Sequence, residues 1–183
     1  DCARAGINIS EGTWGGHLIE GCDVFDTVLE THDHGSFNSW GRDRFWGGER
    51  SKTDEVFLKI PTALPDAVTP TIIRNSRWRC DHGWDVDLDD GSTNYEIYNN
   101  VFLQGGLKLR EGYRRIVTNN IGYNSSAHPH GWYKNSQDSL KNNIWMTAYR
   151  PARMPKDKWG GTSDKNLFPA DFALKEAQEK GWD

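Results

Sequence analysis

The residues of this sequence best suited to chemistry lie in four short segments, spaced as alternate side chains of a strand. In Asp85-Val86-Asp87-Leu88-Asp89, inward-facing Val86 and Leu88 place Asp85, Asp87 and Asp89 on the opposite face, because strand side chains alternate with period two. The same alternation turns out Lys108 and Arg110 in Leu107 to Arg110, and His128 and His130 in Ala127 to His130. Leu29 to Asp33 adds Glu30 and His32 to the stripe, with His34 just beyond. Like charges on one strand raise each other's pKa and neighbouring cations lower it, so such a stripe can hold one carboxyl protonated and another ionised. Cleavage of a glycosidic bond uses that combination: an acid for the leaving oxygen, and a nucleophile or base beside it. Two other readings stand next to this one. Opposite charges on neighbouring strands also form an inert surface ladder, and Asp87, Asp89 and Asp90 offer the carboxylate oxygens that a calcium ion takes.

A stripe needs strands that stack, and the sequence repeats itself accordingly. Ile97-Tyr98-Asn99-Asn100-Val101 recurs as Val117-Thr118-Asn119-Asn120-Ile121. Aligning these with Ile73-Arg74-Asn75-Ser76 and Leu140-Lys141-Asn142-Asn143 puts the first Asn at 75, 99, 119 and 142, in steps of 24, 20 and 23 residues. Steps of this length match one turn of a parallel β-helix, in which each coil buries its apolar face only against the coils above and below. At a sharp corner Asn tolerates left-handed geometry and bonds to the matching Asn of the next coil, so these residues are read as scaffold. Stacking at ~4.8 Å brings the four segments side by side.

The expected architecture is all-β, with coils over residues 1–149 and an insertion at about 37–70. A loop and helix over 150–183 follow, the helix capped by Asp171 and stopped by Gly181, with the chain continuing into a longer protein. In the insertion, Trp40 and Trp46 offer flat apolar faces to sugar rings, with Asp43 between them at the rim. A net charge of -4 gives no basic face for nucleic acid, and no run is long and apolar enough for a membrane. Nine Trp in a chain only 36% hydrophobic suit a turn-rich β protein with an aromatic surface. Cys2, Cys22 and Cys80 fit no zinc spacing and are read as small buried fillers.

The segments His34 to Trp46, Trp84 to Ser92, Gly106 to Gly112 and His128-Pro129-His130 together resemble the right-handed parallel β-helix proteins of polysaccharide-degrading bacteria, most closely glycoside hydrolase family 141. The likeness covers nearly the whole chain. It implies an extracellular or periplasmic hydrolase of plant polysaccharide, with fucosidase or xylanase activity and a pair of acidic residues; no cofactor is expected apart from the calcium that Asp87, Asp89 and Asp90 could take. Carried onto this sequence, one acid is Asp43 and the other is Asp85, Asp87 or Asp89. Leu107-Lys108-Leu109-Arg110-Glu111-Gly112 also resembles the L-x-L-R-H-G strand of polysaccharide lyase family 6, a calcium-assisted family with a Lys base and an assisting Arg. Here Glu111 stands where that motif has His, and Asp87 and Asp89 stand where the preceding coil has its Lys. The remaining expectation is a non-catalytic carbohydrate-binding ledge.

Overall fold

The computed structural model describes residues 1–10, 14–41, 55, 64–65, 67–155 and 160–168. Strands appear in triplets: β1 (Ile7–Ile9), β2 (Leu18–Glu20) and β3 (Asp23–Val24), then β4 (Gly35–Ser39), β5 (Thr71–Arg74) and β6 (Arg77–Trp78). The next are β7 (Trp84–Leu88), β8 (Tyr95–Tyr98) and β9 (Val101–Phe102), then β10 (Leu107–Leu109), β11 (Arg115–Thr118) and β12 (Ile121–Gly122). Last come β13 (Ala127–Pro129), β14 (Asp138–Lys141) and β15 (Ile144–Trp145), followed by β16 (Gly161–Asp164). Up to β15 each strand pairs in parallel with the one three places on. The result is three parallel sheets, β1-β4-β7-β10-β13, β2-β5-β8-β11-β14-β16 and β3-β6-β9-β12-β15, an order compatible with a parallel β-helix.

Each sheet sends apolar side chains inward in register. Phe37, Val86, Leu107 and Ala127 are in register in the first sheet, as are Ile73, Ile97, Val117 and Leu140 in the second. All eight are fully buried. In the third sheet Phe102 and Trp145 stack at 6.2 Å on either side of Gly122, where a Cβ would come within 2.6 Å of the indole.

The Asn pairs divide the labour that the sequence assigns to one residue. The first of each pair takes the left-handed corner, with φ of 51, 56, 55 and 55° at Asn75, Asn99, Asn119 and Asn142. The second forms the buried ladder: Asn100 donates to Asn120, Asn120 to Asn143 and Asn143 to Asn166, each from backbone N and from Nδ2 to Oδ1 at 2.9–3.0 Å. Asn120 Nδ2 also donates to the carbonyls of Ile97 and Thr118. Replacing Asn120 by Ala strands several of these buried groups at about 1–3 kcal/mol each, so urea unfolding should show a loss of about 3 kcal/mol or more. Asn119→Gly, which keeps the corner, should stay close to wild type.

Three expectations need correction. Leu29 to Asp33 is not a strand, because Asp26, Val28 and Asp33 have φ of 52, 59 and 54°; the partner of β7 is β4, which begins at Gly35. The repeat therefore persists through Ser39 rather than breaking at Phe37. It also resumes beyond Tyr149, where Ala152 bridges His130, β16 pairs with β14 and Leu167 bridges Ile144. Of the predicted fillers, Cys80 is buried, whereas Cys2 and Cys22 are half-buried; all three thiols are free. The helix expected at 171–180 lies outside the described residues, and no helix among those described is long and apolar enough to cross a membrane.

Candidate active site

The outer face of the first sheet sets Asn38, Asp87, Lys108 and His128 in one row, one residue per coil. The ladder continues past the strand ends, with Arg110 N donating to Leu88 O and His130 N to Leu109 O, so Asp89, Arg110 and His130 follow two residues on. Lys108 Nζ lies 3.2 Å from Asp87 Oδ1, 3.4 Å from Asp89 Oδ1 and 3.2 Å from Asp33 Oδ1. Arg110 reaches Asp89 and Asp90 through Nη1 at 3.0 and 2.9 Å, and Glu111 through Nε at 2.8 Å. One ammonium thus bridges Asp87 on β7 and Asp89 just past its end.

This face points away from the core without lying open. Asp87 is fully buried and Lys108 is 2% exposed, against the expectation of a solvent-facing stripe. Trp84 is part of the reason: its ring lies 5.7 Å from Lys108 Nζ and stacks on His128 at 4.7 Å, and His128 meets His130 edge-on at 5.5 Å. His128 Nδ1 and His130 Nε2 are sealed from solvent and have no hydrogen-bond partner among the described residues.

Burial and charge set the protonation pattern. Burial pushes the Asp87 carboxyl up to about 8, with Lys108 pulling against it and Asp89 adding to it. Burial acts on Asp89 in the same sense, but the Lys108 charge and the Arg110 hydrogen bond outweigh it and hold that carboxyl below its usual range. Lys108 is desolvated too, yet Asp87, Asp89 and Asp33 keep it above its ordinary value. Burial, with His130 and Lys108 nearby, lowers His128 to about 4, and burial lowers His130, so both imidazoles are neutral at pH 7.

The sign of the Asp87 effect on stability follows directly. Between the ordinary value of 3.8 and about 8 the native state holds a proton that the unfolded chain has released, so stability falls as pH rises through that window. Asp87→Asn lacks this titration. Its melting temperature relative to wild type should climb between about pH 5 and about pH 9. A difference that stays constant over that range removes Asp87 as the proton holder.

The other sequence candidates lie as follows. Asp85 is fully buried and serves the turns: it accepts from the backbone N of Cys80 at 2.6 Å and of Gln104 and Gly106 at 3.1 Å. Burial pushes its carboxyl up against the pull of those amides. His34 Nε2 accepts from Arg4 Nε at 3.1 Å, and Arg4 lies 5.4 Å from the Trp40 ring; His34 also feels the charges of Asp33, Asp89 and Lys108, so this group adjoins the row. Burial and Arg4 lower the His34 pKa. Glu30 and His32 are exposed and stand off the row, and Asp43 and Trp46 lie outside the described residues.

Trp84, Asp33 and Asn38 join the site without having been singled out. Strict alternation sends Trp84 inward with Val86, and only its place at the strand's first residue lets it swing over the outer face. The calcium reading does not fit, since Asp87, Asp89 and Asp90 converge on Lys108 and Arg110, which already supply the positive charge. Among the described residues no three His, Cys, Asp or Glu side chains are grouped to hold a metal ion. Set against known protein families, curated proteins and solved structures, the chain matches none.

Proposed function

We propose that the three sheets are the faces of a right-handed parallel β-helix, and that the chain is a glycoside hydrolase of plant or microbial polysaccharide working outside the cytoplasm. Asp87 is the general acid and Asp89 its ionised partner. One observation carries this reading: Asp87 on β7 and Asp89 just past its end share the Lys108 ammonium, with burial raising the first carboxyl while Lys108 and Arg110 hold the second down. Both carboxyls reach the same Nζ, Asp87 at 3.2 Å and Asp89 at 3.4 Å, which keeps them as near each other as a glycosidase pair of about 5–9.5 Å requires. The neutral imidazoles of His128 and His130 and the Trp84 ring stacked on His128 wall the row beside Lys108. Asp43, the acid carried over from the family resemblance, is the alternative partner for Asp87.

The geometry speaks against β-elimination. With Asp87 protonated, the carboxylates of Asp89 and Asp33 still keep Lys108 ionised, and an ammonium cannot act as the base. Assay across a panel of polysaccharides should reveal new reducing ends, no unsaturated product, indifference to chelator, and loss of cleavage in Asp89→Asn. Full activity in both Asp87→Asn and Asp89→Asn would sink the carboxyl-pair reading. A second reading, a binding ledge without turnover, is favoured by the complete burial of Asp87. Saturable binding with no cleavage of any polysaccharide in the panel would establish it.

A further inference from the structure

The turns that leave the first sheet carry Asp89, Asp90, Arg110 and Glu111, and beside them lies a charged pair that the proposed chemistry does not use. Arg115 opens β11, Asp138 opens β14, and neither side chain is exposed at all. Asp138 Oδ1 accepts from Arg115 N at 2.8 Å and from Nε at 2.6 Å, while Oδ2 accepts from Nη2 at 2.6 Å. The remaining arm reaches the turns: Arg115 Nη1 donates to Arg110 O at 2.5 Å and to Ser92 O at 3.3 Å. Ser92 Oγ is bonded to Ser39 Oγ at 2.9 Å, so one network ties together the turns of successive coils. Gly112 leaves room for it, because a Cβ there would lie 2.1 Å from Ser92 O and 2.8 Å from Arg115 Nη1.

Buried carbonyls need donors. Only a guanidinium can grip a carboxylate with two nitrogens and still offer a third to two carbonyls; an ammonium lacks the fork. If the pair served stability alone, apolar residues of similar volume could replace it with little consequence. Its third arm, however, is spent on the backbone of Arg110, the residue that gathers Asp89, Asp90 and Glu111.

We propose that Arg115 and Asp138 form a positioning pair, which fixes the backbone of the turn at Arg110 and thereby the placement of its guanidinium against Asp89, Asp90 and Glu111. The inference deepens the hydrolase reading and rests on it for its effect on turnover, although the placement of Arg110 can be observed without any activity. Arg110 Nε is sealed from solvent beside Glu111 Oε2, and this burial rather than a hydrogen bond is expected to slow exchange of its N–H proton in the wild type.

The test is the double variant Arg115→Met/Asp138→Leu, followed by circular dichroism, NMR exchange of the Arg110 Nε–H and polysaccharide cleavage. The expected result is a folded protein with Arg110 Nε–H exchange about tenfold faster, the equivalent of one lost charge-assisted bond. Cleavage should fall about 10²-fold, as misplacement by about 1 Å does elsewhere. Arg115→Lys keeps the buried charges and drops the donors to Arg110 and Ser92, so it supplies the same readout if the double variant unfolds. Unchanged Arg110 exchange in the folded variant overturns the inference whatever the turnover. Absence of turnover in the wild type overturns the hydrolase reading and leaves the exchange measurement to decide this one.

Discussion

Asp87→Asn should lower polysaccharide cleavage by about 10²–10⁴-fold, the usual contribution of a positioned general acid. The variant amide retains the shape of the carboxyl and can still face Lys108, so folding is preserved and the loss isolates the proton. Activity in the wild type should decline above about pH 8 as Asp87 ionises, and at acid pH as Asp89 takes up a proton below its usual range. In Asp87→Asn the alkaline limb disappears from whatever residual rate remains. An alkaline limb that survives the substitution assigns the acid to another group, with Asp43 the first to test.

The largest effect on stability is expected from Asp138→Ala, which should cost about 3–5 kcal/mol, because it leaves the Arg115 guanidinium buried without a counter-charge. The carboxylate it removes accepts three bonds from Arg115, including one from the backbone N that starts β11. Denaturant midpoints check this, with Asp23→Ala as the comparison. Asp23 pairs with Arg77 in the open, and its loss should leave the midpoint nearly unchanged. Equal effects of the two substitutions would mean that burial does not distinguish the pairs.

Much of this fold was legible because its coils are marked by a chemical pair rather than by hydrophobicity alone. Asn99-Asn100, Asn119-Asn120 and Asn142-Asn143 put a left-handed corner beside a ladder rung, and no common alternative supplies both. The sixth coil escaped notice because Lys165 stands where an Asn is expected: it takes the corner at φ 55°, and only Asn166 betrays the ladder. Alternation identified Asp87, Lys108 and His128 as row mates, since it depends on parity alone. Parity carries no information about cover. It could not show that Trp84 lies against Lys108 and His128, or that Asp33, from a segment bent by left-handed residues, reaches Lys108 from a site 75 positions away. It likewise made Asp85 the equal of Asp87, where the turn amides of Cys80, Gln104 and Gly106 set them apart.

The Asn ladder bears on how such a chain can change. From Asn100 to Asn166 each rung gives its donors to the next, so these coils carry matching connectors, whereas the two before them have Cys22 and Ser76 at that place. A whole coil, cut between equivalent Asn residues, is therefore an exchangeable cassette: it can be lost, duplicated or replaced while the seams still match. Asp87, Lys108 and His128 come one each from three such cassettes. Shuffling them would rewrite the order of acid, cation and imidazole along the face without asking the core to learn a new fold.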